Sequence, residues 1–181
     1  MSLLTALRCG TREAHTRLED ALDVLTRCRD ARSYVLLLQA FRSLYAPLEQ
    51  ALAVAPATGS VVPDFADRRK TAWLDEDLAA LGSRARPGLE VPAITCAEDV
   101  AGTCYVLEGA TLGGAVVVRR LADSGGPPLP SRFFSSYGSR RGAMWSAFRG
   151  HLGALEVRGV DRGRTVSAAR RTFDLFEQAC R

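Results

Sequence analysis

Apolar residues recur along this chain with the three-and-four spacing of an α-helix, and Pro/Gly-rich segments cut that pattern into separate runs. A first helix is expected over residues 2–26, where Leu4, Leu7, Thr11, Ala14, Leu18 and Leu22 recur at helical spacing. A second is expected over residues 31–54, kinked or broken at Pro47. Residues 55–62 read as a loop, 64–81 as a third helix stopped by Gly82, and 83–94 as another connection. Thr95 and Glu98 have capping-box spacing and should start a helix that runs to about residue 121. Residues 122–130, with their Gly-Gly-Pro-Pro, form a loop before two last helices, over 131–155 and 164–180. Strand-like alternation and internal repeats are absent. The expected fold is therefore all-α, one domain over residues 1–181, with helix packed on helix.

Charge and cysteine content narrow the function classes. The formal net charge is +4, and Lys70 is the only lysine among the basic residues. The arginines are scattered, with no aromatic platform beside them, which argues against nucleic acid and suits a carboxylate ligand or an acidic protein partner. Five cysteines with no C-x-x-C pair argue against a disulfide framework and a zinc site; free thiols in a reducing compartment are the plain reading. No apolar run approaches the roughly 20 residues of a membrane span, and no secretory signal is apparent, so a cytoplasmic protein with no membrane partner is expected.

Of the two histidines, His15 is the more informative. At about 100° per residue it lies within roughly 40° of Leu4, Thr11 and Leu22, so its ring is expected to point inward. A core histidine with a satisfied hydrogen bond is the ordinary explanation. Glu19, four residues on, can however accept a hydrogen bond from one ring nitrogen and orient the other toward a metal. Arg8 and Arg12 fall near the same side and can reach carboxylates at the edge of a flat ligand. His151 has no comparable surroundings and reads as a surface or boundary residue.

The segment from Tyr105 to Val118 reads as helix yet contains Gly109, Gly113 and Gly114. Each glycine inside a helix costs about 0.5–1 kcal/mol relative to alanine, so the cluster needs a reason. Close packing or a kink between helices is one reason. The other is a backbone that must lie almost against a ligand face.

These two segments carry a family resemblance. Leu7-Arg-Cys-Gly-Thr-Arg-Glu-Ala-His-Thr-Arg-Leu-Glu19 resembles the proximal-helix motif of heme oxygenases, and the glycine-rich segment resembles their distal helix, especially that of the bacterial members. Segments 69–82, 133–138, 144–148 and 172–177 also look like parts of that family. The resemblance implies heme b as both substrate and cofactor, held between a proximal and a kinked distal helix. His15 would ligate the iron and Glu19 would support it. Arg8 and Arg12 would meet the propionates, with Tyr105, Tyr137, Arg140 and Arg141 as further propionate or pocket contacts. Gly109, Gly113 and Gly114 would be the catalytic distal backbone. Animal-type members carry an aspartate where this chain has Ala110, which leaves Thr111 or ordered water to help deliver protons.

The implied activity is oxidative opening of heme to biliverdin, carbon monoxide and ferrous iron. It uses dioxygen and electrons from an external ferredoxin or reductase, and a phytochrome is one conceivable bilin recipient. Two rivals stay open at this point. One is a non-catalytic heme storage or sensor protein on the same fold, motivated by Ala110. The other is a di-iron or thiamin-degrading helical enzyme, which would need inward Glu/His pairs or a catalytic cysteine.

Overall fold

The computed structural model describes residues 1–28, 30–123 and 128–180, and among them no β-strand occurs. Helix α1 (Leu3–Leu22) is capped by the Ser2 hydroxyl, which accepts from the Thr5 N–H at 3.2 Å. It ends four residues before the expected boundary because Asp23 turns left-handed (φ 34°), a conformation aspartate tolerates better than most residues. The remainder of the expected helix is a separate turn, α2 (Val24–Arg27).

Helix α3 (Ala31–Val54) has the expected limits and runs through Pro47 without a break. It is the central core helix. Tyr34, Leu37, Leu38, Leu44, Tyr45, Leu48 and Leu52 are fully enclosed, and the Phe41 ring meets those of Tyr45, Phe133, Phe134 and Phe176. The expected loop that follows contains one helical turn, α4 (Thr58–Val61).

The single helix expected over 64–81 is two elements, a 3₁₀ turn (Phe65–Arg68) and α5 (Thr71–Ala80). The break has a clear cause. Buried Glu49, reaching from α3, accepts the N–H groups of Lys70 (2.5 Å) and Thr71 (3.3 Å) and the Thr71 hydroxyl (2.7 Å), so it caps α5 from another helix. Gly82, at φ 63°, ends the segment as expected.

Helix α6 (Ala97–Asp123) is long and apolar enough to cross a membrane by length and composition, contrary to the reading of the separate apolar runs. Most of its apolar stretch is buried inside the fold, where it serves as a core helix. Residues 124–127 of the next expected loop lie outside the described residues. The helix expected over 131–155 is instead a series of turns, a 3₁₀ turn (Gly138–Arg140) and α7 (Arg141–Val157). Buried Asp77 holds the start of those turns by accepting the N–H groups of Arg132 and Phe133, both at 3.0 Å. Helix α8 (Arg162–Cys180) closes the chain and packs against both α1 and α6.

At the α6 N-terminus Asp99, not Glu98, returns to the cap. Its carboxylate accepts the Thr95 N–H and hydroxyl, each at 3.2 Å, and pairs with Arg171. Burial pushes its pKa up, but the Thr95 N–H, the Cys96 thiol, the Thr95 hydroxyl and Arg171 together hold it below the ordinary carboxylate value. A depressed native pKa adds stability that is present above the unfolded value and is lost as pH falls through the native one. Asp99→Ala is therefore expected to lower stability at neutral pH by about 0.5–2 kcal/mol. In urea titrations that difference should shrink as pH falls below the ordinary aspartate range.

Candidate functional site

Helix α8 packs against both α1 and α6, and the space between those two helices beside α8 is the candidate cleft. On the α1 side Gly10 meets Val166 and the His15 ring lies edge-on to Phe173, 5.8 Å between centroids. On the α6 side Gly102 meets the α8 backbone at Thr165, and the Thr172 hydroxyl donates to Thr103 at 3.4 Å. Tyr105 on α6 is close enough to α1 to feel the Thr11 hydroxyl and the charge of Arg8. Burial raises the Tyr105 pKa, while Thr11 and Arg8 pull it back.

The α1 wall holds His15 and Glu19, with Nδ1 and Oε2 3.2 Å apart. The expectation that the imidazole points into the interior is corrected, because 57 % of its side chain is exposed. The buried face of α1 is centred on Leu3, Leu7, Ala14 and Leu18, and His15 stands at its edge, on the side of Thr11 and Leu22. The Nε2 atom has no hydrogen-bond partner among the described residues. Arg12 is exposed and lines a different groove of about 330 Å³, between α1 and α8, with Cys9, Glu13, Arg17, Arg170 and Asp174.

The α6 wall separates the three glycines. A Cβ built on Gly109 or Gly113 meets nothing within 4 Å, whereas one on Gly114 would run into the Phe134 carbonyl. Gly114 is thus a packing glycine, and its expected place on the ligand face is corrected. Leu112 and Val116 share the open face with Gly109 and Gly113, and Val116 is 62 % exposed. Ala110 is exposed, while Thr111 is buried with its hydroxyl donating to the Glu108 carbonyl at 2.6 Å. That bond ties the Thr111 hydroxyl to its own helix.

Tyr137 and Arg141 are not cleft residues either. The Tyr137 hydroxyl donates to Glu108 at 2.8 Å in a buried charge cluster that pattern reading missed. There Glu108 also receives Arg68 Nη1 (2.5 Å) and Lys70 Nζ (2.7 Å), and Asp64 pairs with Arg68. The available signal was a carboxylate inside the apolar run Val106-Leu107-Glu108. Arg141 is tied to the Phe134 carbonyl at 3.1 Å. Arg140 lies in the 3₁₀ turn before α7. His151 is a boundary residue, as expected, with Nε2 3.2 Å from Asp64. All five cysteines are free; Cys9 is exposed, and burial pushes the Cys104 thiol up to about 12.

Chemically, the cleft offers one imidazole with a carboxylate behind it, a side-chain-free backbone on the other wall, and Arg8 with Tyr105 where the walls meet. The set fits a flat ligand that brings its own metal and has anionic groups at one edge. The open space at Gly109 and Gly113 is a cradle that any Cβ would begin to fill.

The heme oxygenase family model matches residues 1–181. No curated protein sequence matches the chain. Among solved structures, the NO- and CO-bound heme oxygenase from Neisseria meningitidis superposes with a TM-score of 0.87 at 18 % identity, covering 100 % of this chain and 91 % of that one. Heme oxygenase from Leptospira interrogans superposes with a TM-score of 0.77 at 21 % identity, covering 99 % and 98 % respectively. At these identities the two likenesses concern the fold.

The division among the glycines is directly testable by urea unfolding of the ligand-free protein. Gly113→Ala should leave stability unchanged or raise it by up to about 1 kcal/mol. Gly114→Ala should lower it by about 1–3 kcal/mol, because the Phe134 backbone must move. Equal effects would contradict the assignment.

Proposed function

We propose that this chain, which belongs to the heme oxygenase family, takes heme into the α1–α6 cleft with His15 as its iron ligand and opens it to biliverdin. Membership of the family makes it a heme-degrading oxidoreductase. The ligand residues, the product and the electron donor are what the proposal adds.

What supports it is His15, backed by Glu19 on α1, together with the open backbone at Gly109 and Gly113, which share the face of α6 that Gly102 turns toward α8. His15 would bind through Nε2, while Glu19 accepts the Nδ1–H, fixes the tautomer and raises the basicity of the ring. Arg8 and Tyr105 would hold the carboxylates at the heme edge. When bound, the heme supplies the iron at which dioxygen and external electrons react. On the opposite wall the missing side chains let the α6 backbone stand close to the heme face and limit the space there. Ala110 offers neither an acid nor a hydroxyl, so proton delivery falls to water against the α6 backbone. An acidic ferredoxin or a reductase would suit the arginine-rich exterior and the +4 charge.

The test is a visible spectrum of the hemin-loaded protein, followed in air after addition of ascorbate or a ferredoxin system. The expected result is loss of the Soret band with growth of a broad red band. Glu19→Ala should lower hemin affinity or turnover about 10- to 100-fold. A stable oxygenated spectrum with both reductants would instead support a storage or sensor protein. No Soret change on adding hemin would overturn the site altogether.

A further inference from the structure

Glu108 stands immediately before Gly109, and only 2 % of it is exposed. The donors to its carboxylate come from two separate pieces of chain, residues 68–70 and Tyr137. Arg68 ends the 3₁₀ turn, Lys70 precedes α5, and Tyr137 sits in the turn before α7, held at φ 64°. Arg68 also donates to the Met144 carbonyl of α7, and Lys70 to the Arg68 carbonyl at 2.8 Å. The Lys70 ammonium lies 5.0 Å from the centre of the Tyr137 ring.

Burying two cations and a carboxylate is a poor route to stability, since desolvation offsets most of their attraction and apolar packing often does as well. What such a cluster supplies is fixed geometry. Helix α6 needs it here, because three glycines within six residues leave it easily bent. The stretch is clamped on both sides, by Glu108 in the cluster and by Gly114 under the Phe134 carbonyl. Between the clamps, a Cβ on Gly109 or on Gly113 would meet nothing within 4 Å, so that face of the helix is open.

We propose that Glu108 is a positioning residue: by anchoring α6 to Arg68, Lys70 and Tyr137 it fixes how far the Gly109–Gly113 backbone stands from His15, and so the room left beside bound heme. The inference rests on the heme reading of the cleft, and its test separates the two. The variant Lys70→Met/Glu108→Leu removes one charge of each sign and leaves Arg68 paired with Asp64. In the ligand-free protein, amide hydrogen exchange over residues 106–114 should quicken at least about tenfold while α1 and α8 stay unchanged. In the hemin-loaded protein, the pH midpoint of the ferric acid-to-alkaline spectral transition should shift by more than about half a unit. Hemin affinity should stay within about threefold, since His15 and Arg8 are untouched. Tyr137→Phe keeps the ion pairs and should show the same two changes at smaller size, which keeps the question decidable if the double variant does not fold. Faster exchange with an unshifted transition would reduce the cluster to a structural clamp and overturn the proposal, as would no change in either. If wild-type protein fails to take hemin on His15, it is the heme reading that falls, and the exchange result alone decides whether Glu108 anchors the helix.

Discussion

The cleft depends first on the closeness of α8 to the helices on either side of it. A Cβ on Gly102 would lie 2.5 Å from the Thr165 carbonyl oxygen and 2.7 Å from both the Ala168 Cβ and the Ala169 nitrogen. Backbone atoms cannot swing aside, so that contact sets the spacing of α6 on α8. The matching contact on α1, Gly10 against a Val166 methyl at 2.5 Å, is softer because a side chain can rotate. With α8 seated this way, Phe173 lies edge-on against the His15 ring and the two walls hold a set separation. Protein interiors are close-packed and stiff enough to carry such a constraint from one end of a helix pair to the other.

Buried carboxylates do the remaining work of placing the walls. Glu49 caps α5, Asp77 gathers the N–H groups of Arg132 and Phe133, and Glu108 gathers Arg68, Lys70 and Tyr137. Each reaches from inside a helix to donors on chain that leaves or enters another element, groups that would otherwise be left without partners. Two of the three come from the long core helices α3 and α6, so the irregular segments are hung on the regular ones. Asp77 shows the compromise involved. Burial raises its pKa, and the two N–H groups and Arg132 pull it back only in part.

The parts of this arrangement that follow from local pattern were legible in the sequence. The apolar periodicity located α3 and α8 closely, and the i, i+4 pair His15–Glu19 was readable as a unit because both residues lie on one helix. What the pattern could not show was which neighbour covers which face. Gly109, Gly113 and Gly114 look alike in sequence, yet one of them supports a carbonyl from the turn at Phe134 and two face open space. Tyr137 and Arg141 looked like ligand contacts for the same reason. Their partners, Glu108 and Phe134, are fixed by tertiary packing and not by spacing. The break at Lys70 was likewise invisible, since the cap comes from Glu49, 21 residues away.

A crystal structure of the hemin complex would test the central claim most directly. The account predicts iron bound to Nε2 of His15, the ring lying between α1 and α6 with its other face against Gly109 and Gly113, and carboxylates toward Arg8 and Tyr105. Iron bound to any other side chain, or a heme seated in the α1–α8 groove beside Cys9 and Arg12, would contradict it.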